Sequence, residues 1–99
     1  MKISNQEYID ELLKKSGIND VLDVVIYFEY FKKELKKPHY KKAYDIFRSA
    51  YAEQMSLFYD TKIDDKACNT LVKSCQKGYP KEASEAIREN ISRLAELFL

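Results

Sequence analysis

Val21-Leu22-Asp23-Val24-Val25-Ile26-Tyr27-Phe28-Glu29-Tyr30-Phe31 is the most apolar run in the chain, and its reading decides the fold. β-branched and aromatic residues dominate it, a composition that suits a buried strand. Periodicity argues the other way. Val21, Val24, Phe28, Phe31 and Leu35 recur at three- and four-residue spacing, which places them on one stripe of a helix. The flanks agree: Asn19 can accept a backbone N–H as an N-cap, and Asp20 and Asp23 stand at the positive end of the helix dipole. Lys32, Lys33, Lys36 and Lys37 follow at its negative end, and Pro38 stops it. A helix is expected over residues 20–37.

Leu22, Ile26 and Tyr30 form a second stripe on that helix, roughly opposite Phe28. A helix apolar on two sides is either central to its own bundle or half-buried against another chain.

Outward from this run, the same periodicity marks four more helices. Ser4 and Glu7 form a capping box and Ile3 and Tyr8 a hydrophobic staple for a first helix, which turns Tyr8, Ile9, Leu12 and Leu13 inward and ends at Gly17. Beyond Pro38, Tyr40, Tyr44, Phe47, Tyr51 and Phe58 keep the helical period, with Ala43 and Ala50 allowing close approach of a neighbour. Asp64 caps a fourth helix faced by Ala67, Cys68, Leu71, Val72 and Cys75, and Gly78 ends it. Pro80 opens a last helix carrying Ala83, Ile87, Ile91, Leu94 and Phe98. The expectation is an all-α, single-domain up-down bundle over residues 1–99, with helices near 5–16, 20–37, 39–59, 64–77 and 80–98.

Composition fits that picture. With 45% hydrophobic and 33% charged residues, the chain reads as an ordinary globular domain, and two Gly and two Pro are too few for an all-β fold. No apolar run approaches the ~18 residues of a membrane span, and Met-Lys-Ile-Ser-Asn-Gln-Glu has no signal-peptide core. A cytoplasmic, membrane-free protein is expected. Cys68 and Cys75, seven residues apart on one helix, would lie ~10 Å from each other, beyond disulfide reach. Both read as free thiols on an apolar face.

Signals for chemistry are sparse. The two glycines stand far apart, so there is no phosphate loop, and one histidine cannot complete a zinc site with two cysteines. The adjacent acids Asp10/Glu11 and Asp64/Asp65 diverge on helices or caps. Phe47-Arg48-Ser49-Ala50-Tyr51-Ala52 resembles a helix of the HEPN family of small helical nucleases. That family's Arg-x4-His motif would need histidine at position 53, where this chain has Glu53, so the resemblance implies no nuclease activity. No catalytic residue, metal or cofactor is assigned.

Two features point to binding. Residues 32–42 hold six lysines against Glu34, a local +5 in a chain of net charge +1. Lys41 and Lys42 lie in a first helical turn, where each positive charge costs ~0.3–1 kcal/mol unless an anion offsets it. Lys36, Lys37, His39, Lys41 and Lys42 are therefore the candidate anion site. Tyrosine is the other feature, eight of 99 residues without a tryptophan. Tyr27, Tyr30, Tyr59 and Tyr79 fit the core stripes poorly, and with Leu22 and Ile26 they are the candidate partner-binding residues. The expected function is a small non-enzymatic module that inhibits, neutralises or chaperones a protein partner, or that self-associates. The alternative is a binder of nucleic acid or an anionic ligand through the lysine corner.

Overall fold

A computed structural model describes the chain from Asn5 to Phe98. Six helices account for its regular structure: α1 (Asn5–Ser16), α2 (Val21–Phe31), α3 (Pro38–Tyr59), α4 (Asp65–Lys77), α5 (Lys81–Glu85) and α6 (Arg88–Glu96). No strand occurs among the described residues. The protein is a small all-α bundle.

The apolar run is its axis. Val21, Val24, Val25, Ile26, Tyr27, Phe28 and Phe31 of α2 are all buried, and each large apolar side chain so enclosed contributes roughly 1.5–3 kcal/mol. α3, α4 and α5 pack around α2, whereas α1 rests mainly on α6 and α3. The second stripe is thus covered from within the chain. Ile26 is fully enclosed, and the half-buried Tyr30 donates its hydroxyl to the carbonyls of Gln76 (3.0 Å) and Tyr79 (2.6 Å).

Helix ends follow local chemistry, with corrections. Gly17 takes the left-handed conformation (φ 74°), and the Ile18 and Gly17 N–H groups bond back to Leu13 and Lys14. That is a Schellman closure, with Leu13 and Ile18 both buried. Asp20, not Asn19, caps α2, accepting from Leu22 N–H at 3.3 Å. Asp64 caps α4 as expected, accepting from Ala67 N–H at 2.8 Å. Gly78 ends α4 without a left-handed turn, and Pro80 is the N-cap of α5 rather than its first residue. The Ser4 box and Ile3 staple lie outside the described residues.

Two boundaries differ more. α2 stops at Phe31, six residues before Lys37, so the four lysines lie in a turn instead of a last helical turn. Lys32 and Lys36, and Lys33 and Lys37, would be like-charged i,i+4 pairs in a continued helix, which is unfavourable. Pro38 also bars Lys37 from helical geometry, and Lys37 is extended (ψ 142°). Pro38 consequently starts α3 rather than stopping α2. Leu35 is packed against the core from this turn.

The last expected helix is two. The backbone breaks at Ala86–Ile87, so α5 packs on α2 while α6 packs on α1 and α3. The phase changes with it: Ser84 is buried and Ala83 exposed. Arg88, just past the break, holds its guanidinium 5.0 Å from the centre of the Phe31 ring.

Candidate interaction surface

At ~1.5 Å per residue, the 22 residues of α3 span ~33 Å. Its buried residues, Ala43, Phe47, Ala50 and Tyr51, all lie in the first two-thirds. Past Tyr51, Ala52 and Met55 still pack against the edge of the core, and only the last turn of the helix runs beyond it. The chain then reverses at Asp60 (φ 51°), where the Asp60 and Thr61 N–H groups bond back to Leu57 and Ser56. The Ser56 hydroxyl ties down the return, donating to Ala52 O (2.8 Å) and accepting from Ile63 N–H (3.1 Å). The overhang is therefore an ordered, closed helix end.

Three consecutive apolar residues stand on that end: Leu57 is 85% exposed, Phe58 74% and Tyr59 52%. Phe58 was expected in the core, and here the structure overturns the periodic reading. Its ring meets Tyr59 edge-on at 4.9 Å. Beside it, Tyr59, Ile63, Ala67 and Leu71 frame an open hollow of about 600 Å³.

Of the six residues singled out for partner contact, only Tyr59 lies on this surface. Ile26 and Tyr27 are buried, with the Tyr27 ring 4.8 Å from Phe31. As folded, they cannot touch a partner. Leu22 and Tyr30 are half-buried and packed on the core. Tyr79, also half-buried, donates its hydroxyl to Asp23 at 3.0 Å, and burial, helped by that bond, raises its pKa.

The lysine corner divides otherwise. Lys36, Lys37, Lys41 and Lys42 are all exposed, and Lys37 begins α3 without a side-chain cap. His39 is half-buried, its ring tilted against that of Tyr40 with the centres 4.7 Å apart.

Polar groups at the α2–α3–α4 seam are engaged with one another. The Tyr44 hydroxyl donates to Glu29 and accepts from Arg48 (3.4 Å), which also donates to Asp65 O (3.2 Å) and to Asn69. Burial, helped by the Glu29 carboxylate, pushes the Tyr44 pKa up to about 12. Tyr51, raised by burial and by contact with the Cys75 sulfur at 3.6 Å, likewise holds its proton. These phenols brace the bundle; neither is poised as a base at neutral pH. Cys68 and Cys75 are free thiols. No cluster of three or more metal-ligating side chains occurs among the described residues, and no described helix is long and apolar enough to cross a membrane.

Comparison with protein-family models, with curated proteins and with solved structures finds no match.

Proposed function

We propose that this chain is a non-enzymatic protein-binding module that docks a partner through the overhanging end of α3. A single observation carries the reading: Leu57, Phe58 and Tyr59 stand exposed together on an ordered helix end. Isolated exposed apolar residues are ordinary, whereas a contiguous cluster of large ones marks a contact surface. Full burial of a large apolar side chain contributes roughly 1.5–3 kcal/mol, so covering the exposed parts of these three supplies about 3–6 kcal/mol. Association itself costs ~4–15 kcal/mol. The adjoining Ile63 and Leu71 surface must then join the contact, which makes the partner a surface rather than a small molecule. Blocking or chaperoning of that partner is the class of role this physical type serves.

The test is capture from native lysate by the tagged chain, beside a Leu57→Ser, Phe58→Ser variant. Both positions are exposed, so the variant keeps the helical circular dichroism of the parent. A protein retained through a high-salt wash by the parent and lost from the variant supports the reading; equal retention by both removes it. Nucleic acid released by salt would instead move the function to Lys36, Lys37, Lys41 and Lys42, since contacts to phosphate are strongly salt-dependent.

A further inference from the structure

A projection and a socket lie side by side at the end of α3. Tyr59 lines the open hollow together with Ile63, Ala67 and Leu71, and the exposed Phe58 ring meets the Tyr59 ring edge-on at 4.9 Å. At about 600 Å³ the hollow is on the scale that takes a ligand larger than one aromatic ring. A surface carrying both parts fits a two-fold pairing, in which each copy's projection enters the other's socket and the contact closes on itself.

The charges beside the hollow have the same self-complementary order. Asp60, Lys62, Asp64 and Lys66 alternate in sign at every second position, and all four are exposed. Asp64 accepts from Ala67 N–H, and none of the four has an ion-pair partner among the described residues. Asp65 falls roughly 120–160° around α4 from Leu71 and Ala67, away from the hollow. Laid antiparallel on a second copy about Ile63, this segment sets Asp60 against Lys66 and Lys62 against Asp64. Every pair then has opposite signs, whereas a strongly acidic or strongly basic partner would meet like charge at half of the positions.

We infer that the occupant of the α3 end is a second copy of this chain, paired about a two-fold axis near Ile63. The inference rests on the α3 end being a docking surface and names what docks there. Area sets the strength of the pair. The exposed parts of Phe58 and Tyr59 supply roughly 200–300 Å² per copy. With the lining of the hollow and the charged rim, the contact reaches the lower end of specific interfaces, about 500 Å² per copy, so the dimer is reversible.

Sedimentation velocity of the purified full chain over a concentration series tests this. The mass should rise from that of one 11.7 kDa chain to that of two and stop there. Phe58→Ser should abolish the rise while keeping the parent's circular dichroism. Two further variants test the rim: Lys62→Glu, Lys66→Glu makes it wholly acidic, and Asp60→Asn, Asp64→Asn leaves it basic. Asparagine preserves both the left-handed turn and the helix cap. Each rim variant alone should dimerise about tenfold more weakly than the parent, and their equimolar mixture should recover the pairing. A single-chain mass up to millimolar concentration, a dimer indifferent to Phe58→Ser, or a mixture no stronger than its components each overturns the inference. So does a mass that grows past two chains, since an open chain of contacts is not a two-fold pair. A monomer that still captures a foreign protein from lysate through Phe58 also overturns it, while leaving the docking surface in place.

Discussion

Phe47 and Phe58 are eleven residues, three turns, apart on one face of α3, and truncating each to alanine should give opposite results. Phe47 is 0% exposed and Phe58 is 74% exposed. Phe47→Ala removes a ring enclosed by the core and leaves a cavity, a change that costs ~3–5 kcal/mol. A domain of this length has ~5–15 kcal/mol in all, and each lost kcal/mol lowers its melting midpoint by ~4–8 °C. The Phe47→Ala midpoint should therefore fall by well over ~10 °C. Phe58→Ala deletes a ring already in water and should stay within ~0.5 kcal/mol of the parent. Urea unfolding followed by circular dichroism measures both, with the slope checked for unchanged two-state behaviour. A Phe58→Ala loss above ~1.5 kcal/mol would mean that the α3 end is packed, and the proposed docking surface would not exist.

Other consequences follow from individual contacts. Tyr30→Phe deletes the one donor serving both Gln76 O and Tyr79 O; it should cost ~1–3 kcal/mol in urea unfolding, and a cost near zero would show those carbonyls are otherwise satisfied. Ser84 is fully buried, and its hydroxyl has no hydrogen-bond partner among the described residues. Ser84→Ala should thus be neutral or stabilising by up to ~1 kcal/mol, and clear destabilisation would reveal a partner for that hydroxyl. Alkaline pH should unfold the protein. Tyr44 and Tyr51 keep their protons in the folded state past the ordinary phenol pKa of 10.0 while the unfolded chain loses them. The unfolded state then binds fewer protons, so stability is unaffected below pH ~10 and falls as pH rises between ~10 and ~12. Tyr44→Phe should weaken that fall in a pH series of urea midpoints, and an unchanged series would contradict the assignment.

Much of the fold was legible because local rules and burial agree. Gly17 and Asp64 do what their chemistry dictates, and the Val21–Phe31 stripe is buried by its own bundle. The misplaced features have physical causes. Lysines are good helix formers, so nothing within residues 32–37 taken singly predicts a stop at Phe31; like-charge pairing and the conformational reach of Pro38 act together. The break at Ala86–Ile87 carries neither Gly nor Pro, and it separates the layers that α5 and α6 pack against. The candidate surface was the least legible part. Periodicity tells which face of α3 turns inward, and Phe58 does share the face of Phe47. It does not tell how far along the axis the core extends. Helix length gave no such signal either, because a second helix over 20–37 nearly matches the third; only with α2 ending at Phe31 is α3 twice as long as the helix it packs on most. The off-stripe tyrosines misled for a related reason, since Tyr30 and Tyr79 spend their hydroxyls on bonds within the bundle.

The most direct measurement places a photo-cross-linking benzoylphenylalanine at position 58, and separately at position 33 in the lysine-rich turn, and irradiates each tagged chain in native lysate. The account predicts one protein adduct of discrete mass from position 58 and none from position 33. Adducts from position 33 alone, or the same adducts from both positions, would contradict it.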